Sequence, residues 1–179
     1  MVQDVEEILF DESMVKTRVK EIAEEIAEDY IGKDLLLVGV LKGCMFFMAD
    51  LIRFLEMPVS VDFMSVASYG ALTETTGAVR ILKDLDEVLE NRHVLLVEDI
   101  VDTGLTLGYL LKNLKDRAPT SLRVCTLLDK PSYRLVRVPL DYRGFEVGRQ
   151  FVVGYGLDYL EKYRHLPYVC VLKKDVCPL

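Results

Sequence analysis

The chain has 179 residues, 51% hydrophobic and 28% charged, which suits one compact domain, is too small for two cores of ordinary size and excludes disorder. A net charge of −7 and a pI near 4.9 argue against a broad footprint for nucleic acid, so phosphate chemistry would rest on a few placed cations. No apolar run approaches the ~20 residues of a membrane span, and MVQDVEEILF lacks a basic stretch ahead of an apolar one, so neither membrane insertion nor a secretory signal is expected.

In chain order, Val15, Val19, Ile22, Ala23, Ile26, Ala27 and Tyr30 fall at helical spacing; Asp11 or Ser13 can cap this helix and Gly32 ends it. Leu35–Leu41, LLLVGVL, is continuously apolar, as expected of a central parallel strand covered on both faces. Met45, Met48, Leu51, Ile52 and Leu55 form a second helical stripe ending before Pro58, and a strand over Val59–Met64 follows. Ser65–Ala78 is small, polar and Gly-containing, which predicts a long loop before a strand at Val79–Leu82. A strand at Val94–Val97, a turn through Asp102–Gly104, a helix carrying Leu107, Leu110, Leu111 and Leu114, and a strand at Leu122–Leu128 complete a β-α-β alternation.

That alternation predicts an α/β fold: an open, mostly parallel sheet with helices on both faces and right-handed crossovers. From Pro131 on, turn residues and aromatics dominate, with short strand-like runs at Phe145–Val147, Phe151–Val153 and Tyr168–Leu172. This part is expected to form a small hood over the sheet's C-terminal edge. The expected division is one domain over residues 1–179, with a core of about 10–130 and a hood mainly of 131–179 joined by the N-terminal segment. Cys44, Cys125, Cys170 and Cys177 include no Cys-x-x-Cys pair, and reduced thiols in a cytoplasmic protein are expected.

In open α/β sheets ligands bind beyond the carboxyl ends of the strands, which singles out the junction VEDIVDTGLTL, Val97–Leu107. Thr103, Gly104, Leu105 and Thr106 supply backbone N–H groups at a helix N-terminus, Gly104 permits close approach and two hydroxyls can donate, which together suit a monophosphate. Neither a Walker loop nor a Gly-x-Gly-x-x-Gly turn is present. Glu98, Asp99 and Asp102 crowd carboxylates beside this anion site, where they would repel phosphate unless engaged. Sugar hydroxyls or a hard divalent cation bound to a pyrophosphate would engage them.

VEDIVDTGLTL resembles the phosphoribosyl-pyrophosphate motif of type I phosphoribosyltransferases. VLKG (Val40–Gly43), SYG (Ser68–Gly70), LLDK (Leu127–Lys130) and FVVGYGLDY (Phe151–Tyr159), in this order, resemble the hypoxanthine-guanine branch. The likeness runs from about Leu35 to Leu172. It implies that Glu98 and Asp99 serve the ribose hydroxyls directly or through Mg²⁺, and that Asp102 is the general base at the purine N7 and borders the 5′-phosphate loop Thr103–Thr106. It further implies that Lys42, Gly43 and Arg164 bind pyrophosphate, the Lys42 loop through an often cis peptide. Ser68 and Tyr69 would tip a flexible loop that closes over the reaction centre. On the base side, Lys130 would donate to the purine O6, Phe151 stack on the ring, Val152 contribute backbone contacts and Asp158 hold a second Mg²⁺.

An ammonium donates and cannot accept, so Lys130 favours a 6-oxo over a 6-amino purine. The resemblance thus implies transfer of the phosphoribosyl group of phosphoribosyl pyrophosphate to N9 of hypoxanthine or guanine, giving IMP or GMP and pyrophosphate. It also implies a homodimer or homotetramer. The competing reading is a nucleotide-sensing regulator on the same fold without catalysis; the acidic charge and the presence of Asp102 and Lys130 weigh against it. His93 and His165 lack ligand spacing and read as structural.

Overall fold

The computed structural model describes residues 3–68 and 79–178. Strand β1 (Val5–Phe10) precedes helix α1 (Glu12–Asp29), whose N-cap is Asp11: its carboxylate accepts from the Met14 N–H at 2.8 Å. Strand β2 (Leu35–Leu41), helix α2 (Met45–Phe54) and strands β3 (Ser60–Ser68), β4 (Val79–Lys83) and β5 (His93–Val101) follow. Helix α3 (Leu105–Lys115) leads to β6 (Ser121–Asp129), a single 3-10 turn at Pro131–Tyr133, β7 (Tyr142–Glu146) and β8 (Val169–Leu172).

The six-stranded sheet has the order β4-β3-β2-β5-β6-β7, with β3 through β7 mutually parallel and β4 antiparallel at one edge. Alternate residues of the central strands face opposite sides, and each side has its own helices. Leu35, Leu37, Leu95, Val97, Cys125 and Leu127 pack with the apolar stripes of α1 and α2. Leu36, Val38, Val94, Leu96 and Val124 pack with Leu107, Leu110 and Leu114 of α3. Strand β1 pairs antiparallel with β8 in a separate two-stranded ribbon.

Chain order reverses between β2 and β5: from β2 the chain crosses through α2 to β3 on one side, and from β5 through α3 to β6 on the other. The carboxyl ends of these two strands therefore border the topological switch point, where a crevice opens in such sheets.

Several boundaries differ from expectation. Strand β5 runs on through Val101, with Glu98 opposite Thr126 and Val101 opposite Asp129, so Glu98 and Asp99 are strand residues rather than turn residues. Ladder pairing with β6 outweighs the low strand preference of acids. Strand β3 extends to Ser68 because β4 pairs with it as far as Val79, so the Ser65–Ala78 stretch is not loop from its start; Tyr69 lies outside the described residues. In α2, fully buried Phe47 faces the core while Met45 is exposed. Phe151–Val153 forms only an isolated bridge from Val153 to Cys170, and Tyr142–Glu146 is the sixth strand of the main sheet. β1 has no counterpart among the sequence expectations.

Candidate active site

Beyond the carboxyl end of β5, Asp102, Thr103, Gly104, Thr106 and Leu107 line a cavity of 160 Å³ together with Val40 and Glu98. The first helical bond of α3 runs from the Gly108 N–H to the Gly104 carbonyl at 2.8 Å, so the N–H groups of Thr106 and Leu107 have no partner within the helix. Gly104 is the N-cap and makes no side-chain cap bond, while Thr103 Oγ1 accepts only from the Leu105 N–H at 3.3 Å. What remains is an uncapped helix terminus facing a cavity, an anion site by geometry and dipole. Gly104 is required here twice over: its φ is 83°, and a Cβ would collide with the Val136 carbonyl.

A brace behind this turn escaped the sequence reading. The N–H groups of Leu135 and Val136 donate to the Thr103 carbonyl at 2.9 and 3.0 Å. Arg134 donates to the Val101 carbonyl at 3.3 Å and is paired with Asp129, which also accepts from Arg143 at 3.1 Å. Asp129 is 3% exposed, so both guanidinium partners stabilise an otherwise costly buried charge. No motif flagged these residues, because the fold creates the contact between the β6 end and the turn after β5.

The two strand acids stand in an unfavourable environment. Glu98 is 6% exposed; burial first, then the Asp99 charge, raises its pKa well above the carboxylate range. Asp99 is pushed up to about 6, chiefly by burial, although its own N–H and that of Ile100 and the charge of Arg164 oppose the rise. Neither acid has an ion-pair partner among the described residues, and Arg164 is itself paired with Asp158 at 2.8 Å.

At the end of β2 the Leu41–Lys42 peptide is cis. Gly43 sits so close to Asp99 that a Cβ would overlap the carboxylate, and Gly156 of the hood lies so close to Gly43 that its Cβ would overlap the Gly43 carbonyl. These contacts bring Lys42, Gly43, Asp99 and the loop after Gly156 to one place. There Arg164 donates to the Gly156 carbonyl at 2.8 Å, and Lys42 Nζ lies 3.0 Å from a Glu161 carboxylate oxygen.

On the base side, Lys130 is 6% exposed and its N–H donates to the Val101 carbonyl at 2.9 Å, which ties it to the Asp102 turn. Burial lowers its pKa while the Asp102 charge opposes that fall. Its ammonium lies over the Tyr133 ring at 5.5 Å. Val152 is buried in the main core. Phe151 packs edge-to-face on Tyr159 at 5.9 Å and lines a separate 310 Å³ hood cavity with Gln150 and Val171, not the cavity of Asp102. Asp158 is occupied by Arg164 and by the Glu161 N–H at 2.8 Å. A 270 Å³ cleft lined by Glu12 and Lys16 of α1, Phe46 and Asp50 of α2, Tyr155 and His165 shares no residue with the Asp102 cavity, and His93 bonds Ser121 Oγ at 2.7 Å, a structural contact.

Known proteins agree with this geometry. Residues 6–160 match the phosphoribosyl transferase domain family. The chain is 49% identical to a hypoxanthine-guanine phosphoribosyltransferase of Mycobacterium avium, covering 97% of this chain and 88% of that protein. It is 48% identical to the Bacillus subtilis protein of the same name, covering 98% of each. A crystal structure of a hypoxanthine phosphoribosyltransferase from Staphylococcus aureus superposes with a TM-score of 0.94 at 45% identity, covering 97% of this chain and 95% of that one. Identity at this level over nearly the whole length, on a shared backbone, settles the kinship that VEDIVDTGLTL first suggested: the chain belongs to the hypoxanthine-guanine phosphoribosyltransferase family.

Proposed function

We propose that this chain transfers the phosphoribosyl group of phosphoribosyl pyrophosphate to N9 of hypoxanthine or guanine, giving IMP or GMP and pyrophosphate in purine salvage, with Mg²⁺ as cofactor. The observation that carries this reading is the uncapped N-terminus of α3, with buried Glu98 and half-buried Asp99 ahead of it on β5 and with Lys42 and Arg164 converging beside the end of β2. A ribose bearing a 5′-phosphate and a 1-pyrophosphate matches that sequence of donors, acceptors and donors. The relatives and structural neighbours carry transferase names, and the regulatory alternative gains nothing from them.

In the reaction the 5′-phosphate sits on the N–H groups at Thr103–Thr106, and Glu98 and Asp99 accept from the ribose hydroxyls. Lys42, the Gly43 backbone and Arg164 receive the pyrophosphate. Lys130 donates to the 6-oxo group, Phe151 and Val152 border the base, and Asp102 takes the N7 proton as the glycosidic bond forms with inversion at the anomeric carbon. Positioning both reactants at one strand edge supplies most of the acceleration, and proton removal adds ~10²–10⁴-fold.

The residues fit Mg²⁺: buried Glu98 and half-buried Asp99, without ion-pair partners among the described residues, favour a divalent ion, and a hard cation that keeps waters and substrate oxygens needs only one or two protein carboxylates. Glu98 and Asp99 would hold it at the ribose, and Asp158 would hold a second ion once freed from Arg164. When bound, the metal neutralises the leaving pyrophosphate.

No helix among the described residues is long and apolar enough to cross a membrane. We place the enzyme in the cytoplasm, as a homodimer or homotetramer. Steady-state assays with hypoxanthine, guanine, xanthine and adenine, with and without Mg²⁺, test the reading. Turnover of the 6-oxo purines only, and only with the metal, is expected; adenine turnover or metal-independent turnover would overturn it.

A further inference from the structure

Glu161 lies outside the machinery assigned above, yet it touches both of its pyrophosphate-side cations. A single carboxylate oxygen, Oε2, lies 3.0 Å from Lys42 Nζ and 3.3 Å from an Arg164 terminal nitrogen. The same Arg164 nitrogen is 2.8 Å from Asp158 Oδ1, and the Glu161 N–H donates to Asp158 Oδ2 at 2.8 Å. The Lys42 and Arg164 contacts hold the Glu161 carboxyl below its ordinary range, so it is an anion wherever substrate binds.

The backbone that presents this anion is itself unusual. Leu160, Glu161 and Tyr163 have φ values of 52°, 63° and 74°, the left-handed region that non-glycine residues rarely adopt. Tyr159 and Tyr163 anchor the two ends of the segment on the cluster of Val153, Leu166 and Cys170, but nothing apolar holds what lies between: Leu160 is 74% exposed and the Glu161 side chain 66%. The polar contacts at Glu161 itself run to Asp158, Lys42 and Arg164, with the backbones of Tyr159 and Lys162 bonded at 3.1 Å and the Tyr163 hydroxyl donating to Asp4 at 2.9 Å on either side. A strained, exposed turn that delivers one carboxylate oxygen onto two converging cations has the chemistry of a bound phosphoryl oxygen.

We propose that Glu161 is an internal stand-in for pyrophosphate: in the unliganded protein it occupies Lys42 and Arg164, and it must leave before either pyrophosphate or the pyrophosphate arm of the donor can take them. Glu161 thereby sets the affinity for pyrophosphate-bearing ligands without touching the 5′-phosphate turn. The proposal rests on the assignment of Lys42 and Arg164 as pyrophosphate ligands. Exchange of one anion for another leaves the cations paired in both the empty and the liganded state, which limits the desolvation cost of an empty site. Glu161, the shared partner, is 66% exposed in both pairs, so their removal changes affinity modestly, by about three- to tenfold.

The test compares wild type, Glu161→Gln and Glu161→Ala by calorimetric titration with inorganic pyrophosphate and Mg²⁺, and separately with IMP. Both variants are expected to bind pyrophosphate about three- to tenfold more tightly and to bind IMP as wild type does, the latter also reporting an intact fold. Unchanged or weaker pyrophosphate binding in both, while Lys42→Met weakens it, would overturn the stand-in and leave the underlying assignment in place. If Lys42→Met and Arg164→Met both bind pyrophosphate normally, the assignment of those cations fails and the stand-in fails with it.

Discussion

The two ends of this crevice that we assign to phosphate groups are built on opposite principles. At the α3 end the donors are backbone N–H groups of a helix terminus, fixed by the fold and left without a partner by Gly104. At the β2 end the donors are flexible Lys42 and Arg164 side chains, already held by Glu161 and Asp158. The first end is preorganised, so binding there orders little; the second must exchange partners, so binding there is a competition between anions. A site of this kind should retain the ribose phosphate through chemistry while letting the pyrophosphate leave.

The largest expected effect lies between the two ends. Asp102→Asn leaves the N–H groups of Thr103–Thr106 and both cations in place, so donor affinity should change little while turnover falls by ~10²-fold or more. Steady-state kinetics with hypoxanthine checks this, and unchanged turnover would remove Asp102 as the base.

Next in size is a stability effect. Asp99 is raised from its ordinary value to about 6, so the unfolded chain releases this proton before the folded one, and the native state loses stability as pH rises from about 4 to about 6. Asp99→Asn should therefore stabilise the unliganded protein by an amount that grows across that window to about 3 kcal/mol and is level above it. Urea denaturation at several pH values measures this. A constant difference from pH 4 to 8 would show that Asp99 is not a source of the strain, and that the acid pair is as settled as the helix end.

How much of this was legible in the sequence follows the same division. Local signals found the continuous apolar strand Leu35–Leu41, the α1 stripe with its Asp11 cap, and the Asp102–Thr106 turn, because periodicity and turn chemistry are written in neighbouring residues. Periodicity ends this strand at Val97, because Glu98 and Asp99 belong to it only by virtue of pairing with β6. Strand β1 was missed because VEEILF has no partner until Val169–Leu172 comes back beside it. Asp129 with Arg134, and Glu161 with Lys42, are contacts across 5 and 119 residues made by the fold; neither pair carries a motif.

A smaller change would separate the two ends. Gly104→Ala introduces a Cβ against the Val136 carbonyl at a φ of 83°, which displaces the turn that carries the phosphate-binding N–H groups. Strain on the order of 1–3 kcal/mol at such a position predicts about tenfold or greater loss of IMP affinity. Pyrophosphate affinity should be unchanged, because no Gly104 contact reaches Lys42 or Arg164. Titration with each ligand decides it, and an equal loss of both would mean that the ends are coupled.

The smallest effect probes the brace behind the preorganised end. Arg134 serves two partners at once, the buried Asp129 carboxylate and the Val101 carbonyl, and its Cδ packs against Gly104 while the following two residues bond Thr103. Arg134→Lys keeps the charge near Asp129, which Arg143 also compensates, but an ammonium cannot reproduce the planar fork that spans both acceptors. The turn should loosen without the domain unfolding, since the Leu135 and Val136 bonds to Thr103 are backbone bonds. IMP affinity is expected to fall about three- to fivefold, a net loss of the size of one hydrogen bond, with pyrophosphate affinity and melting temperature nearly constant. If pyrophosphate affinity fell in step, Arg134 would brace the whole carboxyl edge of the sheet, and the preorganised and exchanging ends would be two faces of one rigid frame.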